Sequence, residues 1–199
     1  MSNKSLLIVV SAPSGAGKTT LCDRLMEQHG DIVYSVSCTT RAPRGDEQDG
    51  KDYFFMTDAD FLRRVETGAF LEYARVHAHY YGTLRETVIN ALGADRSILM
   101  DIDVQGARQI RDKIPDADPE DPLKAAFVDI FIEPPSIEEL KRRLENRAED
   151  AEETIRRRVQ NAEKEMADRD LYRYRIVNAD LETAYTEFEQ IILKEQAEP

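Results

Sequence analysis

The chain has 199 residues, of which 41% are hydrophobic and 33% charged, and its formal net charge is −12. This length and composition predict one globular domain with its own hydrophobic core rather than a disordered chain. The acidic balance argues against non-specific binding to nucleic acids or anionic membranes, because both need a basic surface. It does not exclude an anionic substrate, since a pocket can be locally basic on an acidic protein.

The cysteines and histidines argue against a zinc site. Cys22 and Cys38 do not form a CxxC pair, and the three histidines are poorly spaced for metal binding. The simplest interpretation is that both cysteines are reduced thiols in a cytosolic protein. The apolar run from Leu6 to Val10 is too short for a signal-peptide core or a membrane span, and no later segment is long enough. We therefore expect a cytoplasmic protein with no membrane or nucleic-acid partner.

The first predicted unit is a strand, a loop and a helix. Leu6 to Val10 is a continuous apolar run rich in β-branched residues, which is typical of a buried parallel strand. The small residues from Ser11 to Gly17 predict a loop, and Leu21 and Leu25 lie on the apolar face of the helix that follows. The alternating segment from Tyr34 to Cys38 predicts a second strand.

The next part of the chain, from about residue 35 to 81, contains short elements close together, as in an inserted lobe. These elements are strands at Tyr53 to Met56, Phe70 to Val76 and His79 to Tyr81, with a helix at Asp58 to Thr67. Core strands then return at Ser97 to Met100, Phe127 to Ile132 and Arg175 to Val177. The predicted helices outside the lobe and after the first are Arg85 to Leu92, Val104 to Ile110, Ser136 to about Arg147, Glu152 to Met166 and Leu181 to Leu193.

Repeated strand–loop–helix units with strands buried on both faces predict an α/β fold, in which helices flank a central parallel sheet. One segment interrupts this pattern. Asp116 to Lys124 is rich in proline and acidic residues, and we expect it to be a surface excursion whose replacement leaves activity intact.

The strongest chemical motif follows the first strand and opens the first helix. It matches the P-loop pattern GxxxxGK[ST] at every defined position except the first, where Ala12 replaces glycine. Gly15 and Gly17 let the backbone wrap around phosphate oxygens, which successive N–H groups bind. Lys18 would reach the β- and γ-phosphates, and Thr19 would offer its hydroxyl to Mg²⁺. The candidate ATP-phosphate residues are Ala12, Pro13, Ser14, Gly15, Ala16, Gly17, Lys18, Thr19 and Thr20.

A glycine-rich strand-to-helix turn with an incidental lysine is the alternative to a P-loop. The strand before the motif and the helix after it argue against that alternative, so we predict nucleotide binding. The motif does not specify the reaction, because motors, GTPases and kinases all contain P-loops.

Further motifs follow in order along nearly the whole chain. They are Ser35-Val-Ser-Cys-Thr-Thr-Arg41-Ala-Pro-Arg44, Gly50-Lys-Asp-Tyr53-Phe-Phe, Phe70-Leu-Glu72, Tyr80-Tyr81-Gly82-Thr83 and Asp101-Ile-Asp103-Val-Gln-Gly106, with Arg147 and Arg158 later. With the P-loop, this ordered set resembles the guanylate kinase family. The resemblance implies a P-loop kinase that transfers the γ-phosphoryl group of ATP to GMP with Mg²⁺. It also implies a core (residues 1–34, 82–136 and 170–199), a GMP-binding lobe (about 35–81) and a helical lid (about 137–169).

The resemblance also implies a role for individual residues. The GMP phosphate would be held by Arg41, Arg44, Tyr53 and Tyr81, and the guanine base would be contacted by Ser37, Glu72, Thr83 and Asp103. Asp101 would lie near the Mg²⁺ ion and the phosphates. Arg147 and Arg158 would reach over the transferring phosphoryl group from the lid, and Lys18 would stabilise the same group together with Mg²⁺.

Most of these roles have a physical basis and a plainer alternative. Guanidinium groups suit phosphate, but two arginines in a polar loop also fit a solvated surface pair. Glu72 could accept two hydrogen bonds from guanine N1–H and the N2 amino group, or it could face solvent on its strand. Tyr53 and Tyr81 could be core aromatics, and Asp103 could be a helix cap. For Arg147 and Arg158 the default is an exposed ion pair, and only the resemblance argues otherwise.

Two other functions share part of this pattern. One is a kinase of the same fold that phosphorylates another small substrate, and the presence of Glu72 and Asp103 argues against it. The other is a binding module that has lost catalysis, and the intact loop from Gly15 to Thr19 argues against that. We expect no nucleophilic side chain, because phosphoryl transfer chiefly needs in-line positioning, charge neutralisation and exclusion of water.

Overall fold

The computed structural model describes residues 4–146 and 151–198, which form two sheets and their flanking helices. The strands are β1 (Leu7–Ser11), β2 (Ile32–Tyr34), β3 (Cys38–Thr39), β4 (Phe54–Phe55), β5 (Phe70–Val76), β6 (His79–Leu84), β7 (Ser97–Asp101), β8 (Phe127–Glu133) and β9 (Tyr174–Val177). The helices are α1 (Lys18–Gln28), α2 (Asp58–Glu66), α3 (Arg85–Gly93), α4 (Val104–Asp116), α5 (Pro122–Ala126), α6 (Ile137–Asn146), α7 (Glu152–Met166) and α8 (Leu181–Ala197), with a short 3₁₀ turn at Arg169–Leu171.

The main sheet has five parallel strands in the order β2-β7-β1-β8-β9. Its central strand β1 is buried along its whole length, which explains why it reads as a continuous apolar run. Helices cover both faces of the sheet. The predicted α/β architecture with a central parallel sheet is therefore confirmed.

Alternate residues of the first strand point to opposite faces of the sheet and build two cores. Ile8 and Val10 lie in a cluster with residues of α1 and α8, such as Phe188. Leu7 and Val9 lie in a second cluster with residues of α3 and α4. Because both cores depend on β1, the loop that follows this strand starts from a rigid base.

The smaller sheet belongs to the predicted lobe and has the order β4-β3-β6-β5. It has its own apolar cluster, in which the rings of Phe61 and Phe70 stack with centroids 4.3 Å apart. The single strand predicted from Tyr34 to Cys38 is wrong. The Ser35 N–H still donates to the main sheet at Leu99 O (2.9 Å), but the Ser37 carbonyl already accepts from Phe54 N (2.9 Å) in the lobe. The chain thus changes sheets between these residues, although the alternation of the sequence continues.

The segment from Asp116 to Lys124 is not the simple surface excursion that was expected. Helix α4 extends to Asp116, and α5 begins at Pro122. Asp121 caps α5 by accepting from Leu123 N (3.0 Å), and it forms an ion pair with Arg85 (2.6 Å). Leu123 is only 2% exposed because it packs in the core. Asp121 followed by Pro122 is a typical helix start, although the proline and acidic residues of the whole segment favour a loop.

Helices α6 and α7 pack against each other around a small cluster that includes Leu140, Leu144 and Ile155. Ser136 caps the first of them, since its hydroxyl accepts from Glu139 N (3.1 Å). The Glu139 carboxylate does not complete a capping box but binds Arg142 and Arg143 on its own helix. In the part of the chain that the structure describes, no helix is both long and apolar enough to cross a membrane.

Candidate active site

The loop between β1 and α1 has the backbone conformation that a phosphate-binding loop needs. Gly15 and Gly17 have left-handed φ angles of 95° and 94°. A side chain at Gly17 would also overlap the Asn178 amide nitrogen. The non-glycine residues with positive φ in the described ranges are His77 and Asp95, so Ala12 lies outside that region and needs no glycine. The one departure from the motif therefore requires no left-handed backbone at a non-glycine residue.

Lys18, the first residue of α1, reaches across to the end of the neighbouring strand β7. Its ammonium group forms an ion pair with Asp101 and donates to the Ile102 carbonyl (3.2 Å). A cavity of about 360 Å³ opens here. Its lining residues are Ala12, Pro13, Ser14, Gly15, Gly17, Lys18, Thr19, Thr20, Asp101, Asp103 and Glu165. The loop thus presents N–H groups and one ammonium to a space bounded by carboxylates on the opposite side.

Asn178 supports the loop, although the sequence analysis did not select it. It is 4% exposed, and its side-chain amide donates to the Ala16 carbonyl (2.7 Å). Its own carbonyl accepts from Arg143 Nη2 on α6 (2.9 Å). A polar residue directly after strand β9 was the available signal, because ligand sites of parallel sheets lie at the carboxyl ends of the strands.

Glu165 on α7 is a second residue that the sequence analysis missed. It lines the P-loop cavity and is half-buried there. Burial and the charge of Asp103 raise the pKa of Glu165, while Lys18 and a backbone hydrogen bond at Ser14 oppose this effect. Helix α7 is charged along much of its length, so nothing in the sequence distinguished this glutamate from its neighbours.

A second cavity, of about 220 Å³, lies between the lobe and the main sheet. Five of the predicted GMP-site residues line it: Ser37, Tyr53, Glu72, Tyr81 and Asp103. Asp101 and Asp103 line both this cavity and the P-loop cavity. The two cavities therefore meet at the carboxyl end of β7, where a donor and an acceptor phosphate could approach each other.

Glu72 does not face solvent, the alternative considered for a strand residue. Its side chain is among the buried charged groups (6% exposed), and the Thr83 hydroxyl donates to its Oε1 atom (2.8 Å). Burial raises the pKa of Glu72, and the charge of Asp103 adds to this effect. A β-bulge between Phe70 and Glu72 shifts the register of β5 against β6. The lobe thus holds a buried carboxylate at the cavity wall, with Thr83 behind it.

Arg41 is buried and tied to a carboxylate, so it is not a solvated surface group. Its guanidinium forms two hydrogen bonds of 2.9 Å with Glu47, and these raise its pKa. Its Cζ atom lies 5.3 Å from the centroid of the Tyr53 ring, which in turn meets the Tyr81 ring edge-on at 6.0 Å. Glu47 lies six residues from Arg41 in the same loop, where no regular spacing marks a partner. The exposed Arg44 does not line the cavity, and its backbone N–H donates to Glu47 (2.8 Å).

The remaining predicted residues are placed as follows. Asp103 caps α4 by accepting from Gly106 N (2.8 Å), so its capping role and its place in both cavities hold together. Arg158 lies half-buried on α7. Arg147 lies outside the described residues.

The oxygen donors at the shared edge fit a magnesium ion. Thr19 and Asp101 both line the P-loop cavity. Over the described ranges, there is no group of three or more His, Cys, Asp or Glu residues that could hold a metal alone. Mg²⁺ commonly takes only one or two protein carboxylates and completes its shell with substrate phosphates and water, so this sparse oxygen set suits it.

Comparison with known proteins gives a consistent result. The family model described as guanylate kinase matches residues 4–195. The guanylate kinase of Syntrophotalea carbinolica is 46% identical over 195 residues, which are 98% of this chain and 88% of that protein. The guanylate kinase of Myxococcus xanthus is 45% identical over 193 residues, 96% of this chain and 87% of that protein.

A solved structure agrees with the sequence relatives. The crystal structure of guanylate kinase from Anaplasma phagocytophilum superposes with a TM-score of 0.72 at 33% identity and covers 100% of this chain and 89% of that one. The resemblance seen in the ordered motifs is thereby confirmed. By its family model, its relatives and its fold, this chain belongs to the guanylate kinase family.

Proposed function

We propose that ATP binds with its phosphates in the P-loop cavity, that GMP binds in the lobe cavity, and that the chain transfers the γ-phosphoryl group to give ADP and GDP. Membership of the guanylate kinase family makes the protein a nucleoside monophosphate kinase. One observation carries the proposal of two sites: the two cavities share Asp101 and Asp103 and so open onto the same reaction zone.

On the donor side, the backbone N–H groups from Gly15 to Thr19 would bind phosphate oxygens, and Lys18 would neutralise the β- and γ-phosphates. Thr19 and Asp101 would hold Mg²⁺, directly or through water, and the ion would supply further neutralisation of the phosphates. Lys18 already contacts Asp101, so its ammonium would have to shift only within the same cavity to reach a phosphate. Asn178 would keep the loop backbone in place.

On the acceptor side, Glu72 would read the guanine base. Its carboxylate can accept hydrogen bonds from N1–H and from the N2 amino group, and Thr83 orients it. Ser37 and Asp103 would complete the base site. The GMP phosphate would be bound by Arg41, Arg44, Tyr53 and Tyr81, of which Arg41 and the two tyrosines already lie together.

We also propose that the chain divides into a core (1–34, 82–136 and 170–199), a GMP lobe (about 35–81) and a lid (about 137–169). Arg147 and Arg158 of the lid would stabilise the equatorial oxygens of the transferring group together with Lys18. No side-chain nucleophile takes part, because the GMP phosphate oxygen attacks the γ-phosphorus directly. Closure over both substrates would exclude water and limit ATP hydrolysis. We place this reaction in the cytoplasm, with no nucleic-acid or membrane partner.

The test compares acceptors with ATP as the donor. We expect kcat/KM for GMP to exceed that for AMP by several orders of magnitude, with IMP between them, because IMP keeps N1–H but lacks the amino group. CMP, UMP and dTMP should be poor acceptors. The variant Glu72→Gln should shrink the GMP preference, chiefly by weakening GMP, whereas Glu66→Gln, on the exposed side of α2, should not. Equal rates with GMP and AMP in the wild type would refute the proposal.

A further inference from the structure

One face of helix α4 lies against strand β5, which carries Glu72. Gly106, Gln109 and Lys113 are spaced three and four residues apart, so they share this face. Asp103 caps the same helix and lines the cavity that Glu72 also lines. The helix thus joins the core side of the base site to its lobe side.

Gln109 pairs with the outer edge of β5. Its Oε1 atom accepts from Tyr73 N (3.1 Å), and its Nε2 atom donates to Tyr73 O (2.8 Å). Strand β5 is at the edge of the lobe sheet, so these backbone groups have no neighbouring strand to bind. The glutamine amide takes the place of that strand at the residue next to Glu72.

Lys113 binds the backbone that precedes Glu72 in strand β5. Its ammonium donates to Phe70 O (3.1 Å) and to Leu71 O (2.7 Å). These residues belong to the β-bulge between Phe70 and Glu72, where the regular pairing with β6 is interrupted. The helix therefore makes four side-chain hydrogen bonds to the backbone on both sides of Glu72.

Gly106 sets how closely α4 and the Glu72 carboxylate approach. A Cβ atom at this position would lie 3.1 Å from Glu72 Oε2 and 3.3 Å from Ile102 Cδ1. Any side chain there would push the carboxylate away or force the helix and strand apart. Glycine costs helix stability, so its presence in the first turns of α4 needs a packing reason, and the carboxylate supplies one.

We propose that this face of α4, formed by Gly106, Gln109 and Lys113, is a positioning surface that sets the place of the Glu72 carboxylate relative to Asp103 and so determines the base selectivity of the enzyme. The proposal rests on the proposed binding of guanine by Glu72. None of the three residues needs to touch the nucleotide. They act by fixing strand β5, which carries the Glu72 carboxylate. A small displacement of a group that hydrogen-bonds the base strongly lowers selectivity for that base.

The test uses Gly106→Ala, Gln109→Ala and Lys113→Met, with kcat/KM measured for GMP, IMP and AMP, KM measured for ATP, and Tm measured for each variant. We expect Gly106→Ala to lower the GMP-to-AMP ratio about tenfold or more through a higher KM for GMP, with the KM for ATP within about twofold. Its Tm should stay close to the wild-type value, because the higher helix propensity of alanine offsets the strain of the closer contact. Gln109→Ala and Lys113→Met should lower the ratio about three- to tenfold, and Lys113→Arg should restore most of it.

Matched controls separate positioning from general damage. Gly93→Ala places the same change at the end of α3, where a Cβ atom would meet nothing within 4 Å, and Gln190→Ala removes an exposed glutamine from α8. Both should keep the wild-type ratio. A double variant, Gly106→Ala with Glu72→Gln, should lose no more selectivity than Glu72→Gln alone, because both changes act through one carboxylate.

The outcomes distinguish this inference from the proposed function. If the wild type prefers GMP and Glu72→Gln reduces that preference, but all three α4 variants keep the wild-type ratios, the positioning surface is refuted and the function stands. A parallel loss of activity with every acceptor, accompanied by a lower Tm, would assign these residues to stability alone and would also refute it. If the wild type shows no GMP preference, the proposed function itself fails.

Discussion

The donor side and the acceptor side of this site are built in opposite ways. The P-loop is one contiguous stretch between β1 and α1, and its shape follows from two left-handed glycines and a buried strand. The acceptor cavity is lined by residues from separate elements, including Tyr53, Glu72 and Asp103, which meet only because the lobe packs on the core. A local motif is set by backbone conformation, whereas a distributed site is set by packing. We therefore expect substitutions in the P-loop to cause large losses of activity, and substitutions around the acceptor cavity to change selectivity by degrees.

The two sides also differ in charge. The donor side has Lys18 and the backbone N–H groups that would bind phosphates, and its carboxylates lie opposite. The acceptor side buries both a carboxylate, Glu72, and a guanidinium, Arg41, each with its own partner. Buried charges need partners to be tolerated, so we expect Thr83 and Glu47 to be needed to keep Glu72 and Arg41 in place.

The largest effect should come from the donor side. Lys18→Ala removes the ammonium that would neutralise the transferring phosphoryl group, and we expect kcat to fall about 10²- to 10³-fold, or roughly 3–4 kcal/mol in the barrier. Lys194→Ala, which removes an exposed lysine from α8, is the control and should leave kcat unchanged. Steady-state kinetics with circular dichroism melting separates chemistry from folding. Near-normal turnover by folded Lys18→Ala would show that this lysine does not act on the phosphates.

Gly17→Ala tests whether the loop is set by its backbone. The φ angle of 94° disfavours alanine, and the new Cβ would overlap the Asn178 amide. We expect the KM for ATP to rise about tenfold or more and stability to drop by about 1–3 kcal/mol, while GMP selectivity is kept. Gly30→Ala is the matched control, because a Cβ there has open space. An unchanged KM for ATP would mean that the P-loop accommodates the alanine. It would then contradict the view that backbone conformation at Gly17 sets the donor side.

The acceptor side should respond to pH through Glu72. Its raised pKa means that it takes up a proton at a higher pH than an ordinary glutamate, and the protonated form cannot accept both guanine hydrogen bonds. The GMP-to-AMP ratio of kcat/KM should therefore fall on acidification, by up to about tenfold per unit below that pKa. Thr83 and Lys113 oppose the shift and Asp103 adds to it. The ratio cancels titration of the substrate phosphates, and Glu72→Gln should show a flat profile. A flat ratio in the wild type would contradict the role of the carboxylate.

The same shift has a consequence of opposite sign for stability. Because the folded pKa of Glu72 is raised, its ionisation favours the unfolded chain, and this penalty is present at high pH and vanishes below the unfolded pKa. Glu72→Gln should therefore leave the free energy of unfolding unchanged or higher at pH 8, with no such gain at pH 4. Denaturant titrations at the two pH values measure it. A clear loss of stability at pH 8 would show that the hydrogen bond from Thr83 outweighs the cost of burial.

The smallest effect on activity should come from the segment outside both cavities. Asp121→Ala removes the α5 cap and the ion pair with Arg85, and we expect the free energy of unfolding to fall by about 1–2 kcal/mol with kcat/KM for GMP within about threefold. Glu120→Ala, one residue earlier and exposed, should change stability by less than about 0.5 kcal/mol. A larger loss of activity than of stability would connect this segment to the reaction.

Sequence patterns predicted the features that depend on adjacent residues and failed for those that depend on packing. The strand from Tyr34 to Cys38 was predicted as one element because alternation does not show a change of sheet. The pairing of Arg41 with Glu47 was not predicted, because a loop has no regular spacing that marks ion-pair partners. Asn178 comes to the P-loop from the residue after β9, where its position at the end of a strand was the one signal, and Glu165 comes from α7, where no local pattern marks it.

By itself, the sequence determined the parallel sheet and the P-loop with its two glycines, Gly15 and Gly17, because strand burial and backbone conformation depend on a few adjacent residues. It also carried the ordered motifs that identify the family. Tertiary structure alone decided that Asp101 and Asp103 face both cavities, that Glu72 is buried beside Thr83, and that α4 holds β5. These relations join residues far apart in the chain, and only the packing of lobe on core brings such groups within hydrogen-bonding distance.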